Sequence, residues 1–108
     1  MPSNNWDTTN SRDEAIVNDI LDHEGIDDII DVVNGTPKEL KIGATVRVDR
    51  KYVIFQALDS GITWGFTSSS QSFDAFKNQM FFMPIGENTE IWFASSSGTK
   101  QVAIGEVS

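Results

Sequence analysis

The sequence predicts a mainly β chain: a small antiparallel β-sandwich or barrel with an N-terminal two-helix acidic arm (α+β). Three observations carry that expectation. From Leu40 onward, apolar residues fall in short runs with a period near two, separated by Gly, Ser, Asn and Pro. Before residue 36 they recur at spacings of three and four instead. Charge divides at the same place. Residues 1–36 hold nine acids (Asp7, Asp13, Glu14, Asp19, Asp22, Glu24, Asp27, Asp28, Asp31) against Arg12 alone, whereas residues 37–108 hold seven acids and seven bases. The whole net charge of −8 therefore belongs to the first third. The expected organisation is an arm over 1–36 and a β-sandwich domain over 37–108.

The arm begins with the polar run Met1–Asn10, in which Trp6 is the one large apolar residue. Ser11-Arg12-Asp13-Glu14 has the capping-box order, with Ser at the cap and Glu three residues on. A helix from about Arg12 to His23 follows, with Ile16, Val17, Ile20 and Leu21 as its apolar stripe. Gly25 interrupts it. Ile26, Ile29, Ile30 and Val33 then repeat at i, i+3, i+4, i+7, which predicts a second short helix. Asn34-Gly35 and Pro37 end it.

In the second part, Thr45–Asp49 alternates weakly, and Tyr52–Leu58 (YVIFQAL) is nearly all apolar, as a central strand covered on both faces would be. Ile62, Trp64 and Phe66 share a face after the Asp59-Ser60-Gly61 turn. Thr67–Asn78 is a Ser-rich loop, and Gln79–Met83 is a short apolar strand stopped by Pro84. The chain closes with Glu90–Ala94 and Gln101–Val107, expected as a hairpin at the domain edge, joined by a Ser/Gly turn. Ile91 and Phe93 fall on one face, as do Val102 and Ile104.

Composition narrows function. There is no Cys, so neither a disulfide framework nor a thiolate metal site is available. No apolar run approaches the roughly 18 residues of a membrane helix, and the N-terminal stretch lacks a signal-peptide pattern. The acidic first third would be repelled by nucleic acid and by anionic lipid, so neither is an expected partner; a basic protein surface suits it better. His23 stands alone on an acidic stretch, which favours a solvated side chain over a zinc or triad role. Asp27, Asp28 and Asp31 lack the EF-hand loop order. No cofactor, metal or catalytic residue is expected, and an enzyme is the least favoured class. Trp6, as an anchor, and the basic residues Arg12, Arg47, Arg50 and Lys51 are the candidate protein-interface residues. The aromatics are expected to fill the core rather than form a sugar platform.

The run Tyr52–Val107, about half of the chain, resembles a recurrent β domain of tailed-bacteriophage virion structural proteins. The residues that carry it are VIFQAL, TWGFTSSS, MPIGENTEI and above all IWFASSSGTKQVAIGEV. The acidic segment 11–36 has no counterpart in that pattern. The resemblance implies a non-enzymatic protein of the capsid decoration (cement) or head-fibre type, located in the virion and assembled in the host cytoplasm. Its implied partners are the major capsid protein or another virion protein, and further copies of itself, a trimer first. Two alternatives stand beside it: a carbohydrate-binding module of a phage fibre, and a small acidic inhibitor that mimics nucleic acid.

Overall fold

The computed structural model describes residues 25–108. They form two four-stranded antiparallel sheets that face each other across a shared core. The eight strands, in chain order, are β1 (Gly25–Val33), β2 (Lys38–Glu39), β3 (Tyr52–Ala57), β4 (Ile62–Gly65), β5 (Phe73–Ala75), β6 (Met80–Met83), β7 (Trp92–Ser95) and β8 (Thr99–Val107). The first sheet runs β1-β8-β3-β6 and the second β2-β7-β4-β5. Among the described residues there is no helix. The expected helix Arg12–His23 lies outside them.

The second expected helix is a strand. β1 pairs with β8 along nine positions, from Gly25 opposite Val107 to Val33 opposite Thr99. Ile30 and Val32 point into the core, whereas Ile26, Ile29 and Val33 are exposed. The helical spacing of Ile26, Ile29, Ile30 and Val33 is thus a coincidence of composition. Five of the nine residues are β-branched, and those side chains suit a pleated surface better than a helix turn. Pairing with β8 settles the choice, because tertiary contacts override a weak local preference.

Core-facing rows cross the first sheet in register. Ile30, Val102 and Ala57 make one row; Ile104, Phe55 and Phe81 make the next. From the opposite sheet come Ile62, Trp64, Ala75 and Phe93, with Ile91 just ahead of β7. Phe55 is the centre. Its ring meets Trp64 edge-on at 5.5 Å, Phe93 edge-on at 5.0 Å, and Phe81 in a stack at 4.8 Å. Such pairs add to the area they bury. The aromatic core is therefore real for these residues, while Phe66, Phe73, Phe76 and Phe82 remain exposed.

Three more expectations change. β3 is central, but only its inward residues Val53, Phe55 and Ala57 are buried; Tyr52, Ile54 and Gln56 are half-exposed. Thr45–Asp49 forms no strand: Arg50 N–H closes a turn on Arg47 O at 3.2 Å, and Asp49 adopts φ 58°. The terminal strands do not form a hairpin. β7 lies in one sheet and β8 in the other, each in an interior position. Their connection is a corner held from outside. Asn34 donates its N–H to Gly98 O at 2.9 Å and its side-chain amide to Ser95 O at 2.9 Å, while Ser96 N–H reaches Gly61 O at 2.9 Å.

The strand reading of 25–33 has a direct test. Val32→Ala should lower unfolding stability by roughly 2 kcal/mol, the loss of two buried methyl groups plus a small cavity. Val33→Ala should stay within about 0.5 kcal/mol, as exposed sites do. A helix with the predicted apolar stripe would reverse that order in urea titrations.

Candidate interaction surface

Of the five interface candidates, Trp6 and Arg12 lie outside the described residues, as does His23. The other three separate. Lys51 is exposed just before β3. Arg47 is half-buried, and its Nε donates to Ser108 Oγ at 3.0 Å. Arg50 is not on the surface: its side chain is fully buried.

Arg50 instead organises one end of the sandwich. Its Nη1 lies 2.8 Å from Glu106 Oε1, and neither side chain touches solvent. Nη1 also donates to Leu40 O at 3.3 Å, and Nη2 to Gly86 O at 2.9 Å and Thr89 O at 2.7 Å. Glu106 accepts two further bonds, from Ile42 N–H and Arg47 N–H, both at 3.2 Å. A signal for this was present in the sequence. Glu106 continues the inward alternation of Val102 and Ile104, so an acid at that phase needs a buried cation. All five polar partners lie in the 40–50 and 84–91 connections, apart from the carboxylate itself. The cluster is therefore structural, and its cation is spent inside the fold.

The surface chemistry lies elsewhere, on the outward face of the first sheet. Alternation puts Asp27, Ile29 and Asp31 of β1, Ala103 and Gly105 of β8, Ile54 and Gln56 of β3, and Met80 and Phe82 of β6 on that face. Ile29, Met80 and Phe82 are about half exposed. Ala103 and Gly105 supply little side chain, so a shallow trough runs between Asp27 and Ile29 on one bank and Ile54 and Met80 on the other. Sequence reasoning missed this face because it placed 26–33 on a helix, which removes β1 from the sheet.

A second depression lies beside Phe66 and Phe73 and is lined by Thr67, Ser70 and Ser72. Trp64 backs these rings, 5.5 Å from Phe66 and 4.9 Å from Phe73, but is itself buried. Trp92 is half-buried, and its indole N–H is held by Glu90 Oε1 at 2.7 Å. No row of exposed tryptophans is present among the described residues, and among them no group of His, Cys, Asp and Glu is placed to hold a metal ion. Comparison with known protein families finds no match, and comparison with curated proteins finds none.

The buried pair predicts a strongly non-additive mutant cycle. Arg50→Met should cost about 3–5 kcal/mol, because it leaves the Glu106 carboxylate buried and unpaired. Arg50→Met combined with Glu106→Leu should recover a large part of that loss in urea unfolding. Lys51→Met, one residue away, should change stability by less than about 0.5 kcal/mol.

Proposed function

We propose that this chain is a non-enzymatic structural protein of a tailed-phage virion, most specifically a capsid decoration protein that binds the major capsid protein lattice by surface contact. The resemblance of Tyr52–Val107 to virion β domains supports the class. The observation that carries the mode of action is the outward face of the first sheet, where Ile29, Met80 and Phe82 stand exposed beside Asp27 and Asp31. Exposed apolar residues rimmed by charge are what a contact surface needs, and no cofactor has a role there.

The lattice supplies what one contact lacks. Each decoration contact is modest in area, and repetition over a fixed array raises the effective concentration of every further contact. The acidic residues of the first third would then favour basic patches on neighbouring subunits and discourage contact with packaged nucleic acid. Lys51, exposed just before β3, offers the opposite sign at the end of the same sheet.

Co-sedimentation with heads of the phage that encodes this chain tests the reading. Heads assembled without it should take it up saturably, at a ratio fixed by the lattice, and unassembled capsid protein should bind it at least tenfold more weakly. Lys51→Glu should lower occupancy severalfold at 0.05 M salt. Absence of saturable uptake would remove the proposal.

A further inference from the structure

The two edges of the first sheet are unlike. β1 is long and carries Asp27, Asp28 and Asp31. The N–H of Ile29 is already taken by the Asp28 carboxylate at 2.8 Å. Charges and locally satisfied donors are the devices that keep an edge from pairing with another chain. β6 has none of them. Its sequence is Met-Phe-Phe-Met, it is hydrogen-bonded along its length only to β3 among the described strands, and Met80 and Phe82 are exposed on it. A strand edge with unpaired backbone groups and apolar side chains is a template for another strand.

Charge names the occupant. Residues 60–86 contain only Asp74 and Lys77 as charged residues, which cancel. The chain as a whole carries −8, so two copies repel wherever their acidic parts meet. The β6 side is where they approach without that cost. The same side carries Phe66, Phe73 and Phe76, each between 45% and 60% exposed. Phe73 and Phe81 flank Trp64, at 4.9 and 6.3 Å, which sets the β5 edge beside the β6 edge. At about 200 Å² per large side chain, Phe66, Phe73, Phe76, Met80 and Phe82 together leave roughly 500 Å² of apolar surface, more than half of the ~800 Å² that one side of a stable interface buries.

We propose that β6 is the strand by which two copies of this chain pair, antiparallel across a two-fold axis. The parity of the sheet fixes the register. Opposed residues must point to the same face, so the sum of their numbers is even. Phe81 opposite the partner's Phe81, with Met80 opposite the partner's Phe82 on both flanks, uses the strand and stops short of Pro84, which has no N–H to donate. The first sheets then join into one eight-stranded sheet with Met80 and Phe82 covering each other on its outward face. The contact is isologous, so it closes on itself and gives a two-fold group rather than a trimer. It does not rest on the virion reading, although it shares Met80 and Phe82 with the contact face named there: in the pair they lie side by side within one continuous outward face.

Light scattering on the full chain, and disulfide trapping, test it together; the absence of Cys makes the trapping clean. The chain should run at twice its 12.0 kDa mass, and Phe82→Lys should shift it to the monomer with at least a tenfold weaker dissociation constant and an unchanged near-ultraviolet spectrum. Ile29→Lys, on the other edge, should leave the dimer intact. Met80→Cys mixed with Phe82→Cys should cross-link between chains, because opposed Cα atoms lie within disulfide reach. Either variant alone should cross-link poorly, since its two thiols sit diagonally, about 7–8 Å apart at Cα. A monomer at all concentrations would overturn the proposal, as would occupation of β6 by residues 1–24. A dimer that survives Phe82→Lys, or one that Ile29→Lys breaks, would place the interface elsewhere and overturn it equally.

Discussion

One buried ion pair ties the strands of this fold to the path of its loops. Glu106 sits at an inward position of β8, in the row of Val53 and Met83, where a carboxylate has no access to water. A lone charge there would cost several kcal/mol. Arg50 is brought in from the 40–50 connection to meet it, and its two Nη groups also donate to carbonyls of both neighbouring connections. These connections have almost no ladder of their own, so the pair supplies much of their hydrogen bonding. A buried pair of this kind contributes little net stability against an apolar replacement. What it contributes is position. If β8 slipped by one residue, Glu106 would turn outward and Val107 inward, and Arg50 would lose its partner. The pair thus ties the register of the longest interior strand to the path of two loops.

How the strands connect explains why the sequence reveals the strands better than their partners. Of the seven links between consecutive strands, only β4 to β5 stays within one sheet; the other six cross between sheets. Alternation placed Ile62 with Trp64, Ile91 with Phe93 and Val102 with Ile104, and each of these pairs faces the core, whereas Phe66, expected on the face of Ile62 and Trp64, is exposed just past the end of β4. Pairing is another matter, because a short Ser/Gly link can close a hairpin or turn a corner. At Ser95–Gly98 the deciding contacts come from Asn34 and Gly61, far away in sequence. The same non-locality hid β1. Ile26, Ile29, Ile30 and Val33 satisfy a helical stripe, and Ile30 with Val32 satisfy a strand; β8 is the arbiter, and a local pattern cannot see it.

Arg50 shows a related failure for the surface. Three cations within five residues read as a basic rim, and Lys51 does lie there. Arg50 differs because its neighbour in space is Glu106: alternation from Val102 and Ile104 marks that acid as inward, but only the pairing of β8 with β3 shows which cation meets it. The outward trough was hidden for the same reason: Ile29, Ala103, Ile54 and Met80 belong to four strands drawn from the whole length of the described chain. Burial of Phe55 and Phe93, by contrast, follows from local runs, and the sequence was sufficient there.

Six crossings in seven links also bear on how the edges behave. Contacts between strands distant in sequence close slowly, so sheet edges stay open while the chain folds. β1 can tolerate that interval because its acids and the Asp28 contact to Ile29 discourage foreign strands. β6 has no such protection, although Lys77 or Asp74 could have been placed on it as a gatekeeper. An apolar edge left open on an acidic protein is a hazard unless it is covered in the finished state. The difference between the two edges is therefore best understood as a division of labour, in which β1 is kept unpaired by charge and β6 is kept available by its absence.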